Sequence, residues 1–356
     1  MLKILSYLYG IGVWLRNWLY DNERFGSIEF NLPIISVGNL SAGGTGKTPH
    51  IEYLVRLLLP QYQIATLSRG YRRRTHGFIL ANNTADTATA ADLGDEPMQL
   101  RRKFANLSVA VCESRALGIS MLVMEQPTLK AILLDDAFQH RAVKPQLSIL
   151  LTDHSRLFTR DQLLPLGRLR EPATQMRRAN IIVVTKSPSN ISAEDKASII
   201  NEIKPLPHQQ IFFSYLRYGT PYHWQNTQQT IALNQHTVAV LLCAIAVPQH
   251  LQHYLQQQTA QVEPLFYPDH HPYTLADIDK IHQTYQQIAA RYRHQNAIVV
   301  TTEKDATRLQ LHQSYIEQHQ IPIYILPIEV YFEPTEQQLF DKIIMACVEK
   351  HQSASN

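Results

Sequence analysis

Apolar positions along the chain fall into three textures. The first twenty residues, MLKILSYLYGIGVWLRNWLY, read as a helix with a wide apolar face, on which Lys3, Ser6, Gly10 and Asn17 form one narrow polar stripe with Arg16 beside it. From Leu32 onward, short runs rich in Ile, Leu and Val (PIISVG, QIATLS, LSVAV, AILL, LSILLT and IIVVT) alternate with stretches of helical spacing such as HIEYLVRLLL and ESRALGISMLVME. Continuous apolar runs of that length suit strands covered on both faces of a parallel sheet. The alternation predicts an α/β fold, doubly wound, with a mostly parallel sheet and helices on both faces. After about residue 225, Gln- and His-rich helices surround three further strand candidates, VAVLLCAIA, AIVVTT and IYILPI, and the helix EQQLFDKIIMACVEK closes the chain. The expected organisation is an amino-terminal helix over 1–28, a core over 29–225 and a second, smaller α/β domain over 226–356. The small polar run ANNTADTATAADL at 81–93 reads as a loop.

A chain of 356 residues supports two domains. The net charge of +3 is too small to point to nucleic acid, and it is compatible with an anionic surface or a phosphorylated substrate. Cys112, Cys243 and Cys347 are scattered and form no CxxC pair, so neither a zinc site nor a disulfide framework is indicated. Two of the three tryptophans, Trp14 and Trp18, lie one turn apart in the first helix among tyrosines, which suits the headgroup level of a membrane. Lys3 and Arg16 interrupt the run well short of the ~20 uncharged residues that a span needs. The other reading, a helix packed on its own domain, stays open.

The sharpest chemical signal is SerAlaGlyGlyThrGlyLysThr, residues 41 to 48, between the strand PIISVG and a helix at His50. A phosphate-binding loop needs glycines that turn backbone N–H groups inward, a lysine for the β- and γ-phosphates and a hydroxyl for Mg²⁺. Gly43, Gly44 and Gly46 supply the turn, Lys47 the charge and Thr48 the metal ligand. Ser41, Ala42 and Thr45 complete the nucleotide loop, with Ser41 at the usual first glycine. AlaIleLeuLeuAspAsp delivers Asp135 and Asp136 at a strand end, which is where P-loop proteins complete the Mg²⁺ site. GlyAspGluPro offers Asp95 and Glu96, one for an acceptor hydroxyl and one for Mg²⁺, or simply a polar turn before a helix from Pro97. AspHisHis places Asp269, His270 and His271 on an extended segment, a poor metal clamp but a source of an acid–base histidine. The loop SerArgGlyTyrArgArgArg from 68 to 74 and the pair Arg168 and Arg170 carry guanidinium forks that match phosphate oxygens.

Taken together, GlyAsnLeuSerAlaGlyGlyThrGlyLysThrPro, LeuSerArgGlyTyr, GlyAspGluPro, LeuLeuAspAspAlaPheGlnHis, LeuLeuProLeuGlyArgLeuArgGluPro and ProAspHisHis occur in that order over nearly the whole chain. The set resembles the tetraacyldisaccharide 4'-kinase family, the lipid A 4'-kinases of Gram-negative bacteria. The resemblance implies transfer of the γ-phosphoryl of ATP to the 4'-hydroxyl of a tetraacylated disaccharide 1-phosphate. It implies Lys47 on the phosphates and Thr48, Glu96, Asp135 and Asp136 on Mg²⁺. Asp95 would act on the acceptor, with His270 as partner, Asp269 orienting that histidine, and domain closure bringing the groups together. Arg168 and Arg170 would face the transferred group, and Arg69, Tyr71 and Arg72 the substrate's phosphate. The first helix would dock on the cytoplasmic face of the inner membrane, with no nucleic acid and no obligate protein partner. Two rivals remain on residues alone. One is a nucleotide-driven switch, although ThrLysSerPro at 185–188 lacks the Asp of a guanine-reading motif and ThrGluLysAsp at 302–305 has the wrong spacing. The other is a soluble small-molecule kinase.

Overall fold

The computed structural model describes residues 1–81, 88–245 and 247–353, so 82–87 of the expected loop from 81 to 93 lie outside the described residues, and Ala90–Leu93 at its end form a helical turn instead. Strands in chain order are β1 (Ile34–Asn39), β2 (Ile64–Ser68), β3 (Ile79–Ala81), β4 (Ser108–Val111), β5 (Ala131–Asp135), β6 (Leu147–Asp153), β7 (Ile181–Thr185), β8 (Gln210–Tyr218), β9 (Tyr222–His223), β10 (Thr237–Cys243), β11 (Gln261–Phe266), β12 (Asn296–Thr301), β13 (Ile323–Ile325) and β14 (Ile328–Phe332). Helices are α1 (Leu2–Asp21), α2 (Lys47–Leu58), α3 (Ala90–Leu93), α4 (Asp95–Lys103), α5 (Arg115–Glu125), α6 (Ala193–Ile203), α7 (Gln249–Gln258), α8 (Leu275–Arg291), α9 (Glu303–Leu309), α10 (Gln313–Gln318) and α11 (Pro334–Ser353).

The chain forms two compact units, Met1–Arg217 with the residues from Glu329 onward, and Tyr218–Ile328. The first carries a nine-stranded sheet in the order β14-β8-β7-β6-β1-β5-β2-β4-β3. The strands from β8 to β4 run parallel, so their C-terminal ends share one edge, while β3 is antiparallel to β4. β1, β2, β5 and β7 are buried along their whole length. That is why their residues read as unbroken apolar runs rather than alternating ones.

The unit boundary differs from the sequence expectation of 226–356 for the second domain. β14 and α11 return to the first unit. Phe340, Ile344 and Val348 of α11 are buried with Ile51, Leu54 and Leu58 of α2 and with Phe212 and Phe332. Phe332 and Phe340 stack with centroids 4.8 Å apart, and Phe212 meets Phe340 edge-on at 5.3 Å. Each such side chain contributes roughly 1.5–3 kcal/mol by burial, enough to commit the terminal helix to this core.

α1 packs in an unusual sense. Ser6 and Asn17 of the polar stripe are its buried residues, whereas Ile4, Tyr7 and Trp14 are 66%, 72% and 61% exposed. Ser6 Oγ donates to the Leu163 carbonyl at 2.9 Å, Tyr9 to that of Arg170 at 2.8 Å and Arg16 to that of Gln139 at 2.7 Å. Arg141 bonds the Asn17 carbonyl at 3.0 Å and the Asp21 carboxylate at 2.7 Å. The narrow polar stripe is therefore the attachment, and the apolar face looks outward. Among the described residues no helix is long and apolar enough to cross a membrane.

The second unit has its own five-stranded sheet, β11-β10-β12-β13-β9, parallel except for β9. Its core joins Val238, Val240 and Leu242 to Ile278, Ile281 and Ile288 of α8. A capping box of Thr274 and Asp277 starts α8.

Candidate functional site

The loop after β1 follows from its glycines. Gly43 and Gly46 have φ of +120° and +85°, which disfavour any residue with a Cβ, and Gly46 caps α2 in the left-handed conformation. Lys47 opens α2, so the loop delivers its N–H groups to the start of a helix, a ready anion site. Asn39, at the end of β1, donates to Thr45 Oγ1 at 2.8 Å, and Lys47 Nζ lies 3.5 Å from Asn39 Oδ1. His50, one turn into α2, is buried between the Gly46 carbonyl at 2.7 Å and Ser214 Oγ at 3.0 Å, and burial pushes it down to about 4, so it stays neutral.

β5 lies beside β1 and ends on the acid pair. Lys47 Nζ is 3.7 Å from Asp136 Oδ1, and Arg170 forks onto the same carboxylate at 2.8 and 3.2 Å. Burial works against ionisation of Asp136, but Lys47 and Arg170 hold it below the ordinary carboxylate value. Asp135 is the opposite case. It is buried, its Oδ1 has no hydrogen-bond partner, and burial, then the charges of Asp136 and Glu96, push it up to about 7. Below it, buried Arg115 donates to the carbonyls of Cys112 at 2.7 Å and Asp135 at 3.2 Å. His140 is pushed down to about 4 by burial and then by Arg115.

Asp95 and Glu96 form the first turn of α4, half-buried, with Gly94 as the cap. Gly94 has φ +95°, and a Cβ there would stand 3.0 Å from the Tyr71 carbonyl. The arginine-rich loop after β2 thus packs backbone to backbone against the start of α4. Its residues divide: Arg73 is tied to Glu113 at 2.5 Å, Arg72 lies over the exposed ring of Tyr71 at 5.5 Å, and the charge of Arg69 acts on Arg115 and His140. On the other side of the phosphate loop, Ala42 donates to the Arg168 carbonyl at 2.7 Å and Arg170 to that of Leu40 at 2.7 Å. Ser41 pairs with Leu169 as a β-bridge, which carries the exposed Arg168 side chain to the rim of Gly43.

In the second unit, His270 has φ +63° and donates its backbone N–H to the Ala244 carbonyl at 3.2 Å. Its ring lies between Lys304 Nζ, 3.1 Å from Nε2, and Arg308, 3.2 Å from Nδ1. Asp269 is 3.8 Å from Nε2, beyond hydrogen-bond range. Buried Asp305 accepts from Ala244 N–H at 3.1 Å, from Thr302 at 2.8 Å and from Arg308 at 3.2 Å.

A model of the tetraacyldisaccharide-1-P 4'-kinase family matches residues 1–347. The chain belongs to the tetraacyldisaccharide 4'-kinase family. A tetraacyldisaccharide 4'-kinase of Bacteroides fragilis is 42% identical over 353 residues, covering 97% of this chain and 92% of the relative. One from Porphyromonas gingivalis is 42% identical over 342 residues, covering 95% and 94%. A crystal structure of the Aquifex aeolicus member in complex with ATP superposes with a TM-score of 0.74 at 24% identity, covering 97% of this chain and 98% of that one.

In this member of the kinase family, residues 41 to 48, Asp135, Asp136, Arg168 and Arg170 meet in the first unit, with Glu96 close enough to act on Asp135. Arg170 is placed on Asp136 and Asn39 rather than left open toward a ligand. His270 and Asp269 lie in the second unit. Sequence reasoning missed Asn39, Arg115, Gln139 and His140 in the first unit and Lys304, Asp305 and Arg308 in the second. Asn39, Gln139 and His140 stand inside the quoted stretches, yet only the structure shows that Asn39 meets Thr45, Lys47 and Arg170, that Gln139 donates to the Asn39 carbonyl and that His140 feels the charge of Arg115.

Proposed function

We propose that this chain carries out its family's reaction, transfer of the γ-phosphoryl group of ATP to the 4'-hydroxyl of tetraacyldisaccharide 1-phosphate to form lipid IVA in lipid A biosynthesis, at the edge where β1 and β5 end. The observation that carries this reading is Lys47 and Asp136, 3.7 Å apart, beside the unpartnered buried oxygen of Asp135. A phosphate-binding loop next to a carboxylate without a hydrogen-bond donor is the arrangement that phosphoryl transfer with a divalent cation requires.

The unpartnered buried oxygen of Asp135 fits Mg²⁺, which is held by one or two carboxylates together with substrate phosphates; Thr48, Asp136 and Glu96 would complete the site, and among the described residues no three acidic, His or Cys side chains form a ready-made cage. When bound, Mg²⁺ neutralises charge on the β- and γ-phosphate oxygens. The loop N–H groups and Lys47 orient the phosphates, with Lys47 exchanging its contacts to Asn39 and Asp136 for phosphate oxygens. Arg170 keeps Asp136 ionised and oriented, and Arg168 supplies charge to the transferred group. Asp95 takes the acceptor's proton, and His270 is the second group assigned to acid–base work. Lys304 and Arg308 stand closer to its ring nitrogens than Asp269 does, and since a neutral imidazole has one acceptor nitrogen, one of the two can donate to it at a time. Arg69, Tyr71 and Arg72 serve the substrate's phosphate.

The outward apolar face of α1 supports docking on the cytoplasmic side of the bacterial inner membrane, where the lipid acceptor resides. A groove of about 610 Å³ beside α1, lined by Ser6, Gly10, Trp14, Leu163 and Leu169 among others, suits an acyl chain. Trp14→Ala/Trp18→Ala is expected to lower partition onto anionic vesicles about tenfold in co-sedimentation, as two interfacial rings are lost. Equal pelleting of both proteins would remove the tryptophans from that role, and no pelleting of either would favour a soluble acceptor.

The reaction is tested by incubating the full chain with γ-labelled ATP, Mg²⁺ and tetraacyldisaccharide 1-phosphate in detergent micelles. Label is expected in the lipid. Label appearing only as free phosphate would overturn the acceptor and favour a nucleotide-driven switch.

A further inference from the structure

ThrLysSerPro at 185–188 has no part in the mechanism above, yet its first two side chains are both engaged by the phosphate loop. Thr185, the last residue of β7 and fully buried, has its Oγ1 2.9 Å from the Thr45 carbonyl and 3.2 Å from that of Thr152. Lys186 follows at φ +55°, and its Nζ donates to the Gly44 carbonyl at 2.5 Å and to Asp153 Oδ2 at 2.8 Å. Asp153 is the register partner of Thr185 across the β6–β7 pair and is itself fixed by Ser155, whose N–H and Oγ donate to Oδ1 at 2.9 and 2.7 Å.

A loop can turn successive N–H groups inward only if the carbonyls between them turn outward and find donors there. The carbonyls of Gly44 and Thr45 find such donors in Lys186 and Thr185. Steric packing does not do this at Gly44, since nothing stands within 4 Å of where its Cβ would be. A guanine-reading version of this stretch would put a carboxylate at 188. Here the half that holds the loop is kept, and Pro188 stands in place of the half that reads the base.

We infer that Lys186, fixed by Asp153, is a positioning residue for ATP: it locks the phosphate loop from outside by holding the Gly44 carbonyl, while the Thr45 amide is already tied to the Gly43 carbonyl at 3.1 Å, so that the loop has its bound shape before nucleotide arrives. The inference rests on the reading of residues 41–48 as the ATP loop. Lys186 acts through that loop, so its effect falls on ATP and not on the lipid acceptor.

Steady-state kinetics of the full chain, varying ATP at saturating lipid and lipid at saturating ATP, test it. Lys186→Met is expected to raise KM for ATP about tenfold or more, the scale of a lost charge-assisted hydrogen bond. KM for lipid should stay within about twofold, because the acceptor meets none of these groups. Lys186→Arg should recover most of the loss, and Asp153→Asn should raise KM for ATP less than Lys186→Met does. Asp153→Asn carries the test alone should Lys186→Met fail to fold. An unchanged KM for ATP, a loss confined to kcat, or an equal rise in both KM values would overturn the role of Lys186. Wild type that does not saturate with ATP would instead take the nucleotide off this loop, and the proposal with it.

Discussion

Asp135→Asn is expected to melt higher than the wild type in the ligand-free state while losing phosphoryl transfer. The carboxyl of Asp135 is buried, has an oxygen without a partner, and is raised from an ordinary 3.8 to about 7 by burial and by its acidic neighbours. Above pH 7 the ligand-free protein carries that charge at a cost of roughly 2–4 kcal/mol. Between about pH 4 and pH 7 the folded protein holds a proton that the unfolded chain has released, so this group's contribution to stability rises as pH falls through that window. Asparagine keeps the shape and removes the charge. At pH 8 a rise in thermal midpoint of roughly 5 °C is expected, shrinking as pH falls toward 4. The same change replaces one of the two carboxylate oxygens proposed to hold Mg²⁺ by an amide and removes their charge, and kcat should fall on the order of a thousandfold. Calorimetry at pH 5 and pH 8 with a lipid-phosphorylation assay decides it. A midpoint that drops at pH 8 would mean that Asp135 is satisfied by an interaction other than a cation.

Asp95→Asn is expected to lower kcat about 10²–10⁴-fold while leaving KM for ATP near that of the wild type, the pattern of a lost general base. The backbone here is rigidly set: Gly94 at φ +95° against the Tyr71 carbonyl leaves the start of α4 one path, so asparagine will stand where aspartate stood. Single-turnover measurement with bound ATP isolates the step. Transfer within tenfold of the wild type would take the proton away from Asp95.

The strands on which the site is built were legible because β1, β2, β5 and β7 are buried on both faces and need no alternation. The turn between β1 and α2 was legible because its glycines stand together directly before the helix that Lys47 opens. What was not legible depends on register between distant segments. Arg170 looks like a free guanidinium in sequence, and only the β-bridge of Ser41 with Leu169 shows why it forks onto Asp136. Lys304 and Arg308 stand three dozen residues from His270, and no local pattern announces that they frame its ring. α11 was assigned to the wrong unit because sequence adjacency was the only guide, whereas Phe340 belongs with Phe212 and Phe332. The polar stripe of α1 was visible, but its role as the buried side was not, since a helix with a wide apolar face ordinarily buries that face.

The return of β14 and α11 also bears on the order in which the chain matures during synthesis. β8 and β14 are neighbours at the edge of the first sheet, and everything between them belongs to the second unit. The ribosome therefore delivers the whole second unit, a contiguous run closed by its own hydrogen bond from Gly219 to Pro327, before it delivers the strand and helix that cover Ile51, Leu54 and Phe212. The nested unit can mature while its host still lacks a wall. A stop codon after about residue 330 would leave the inner unit intact and the nucleotide-binding unit open to proteases, so nonsense lesions near the end of the reading frame should be as damaging as early ones.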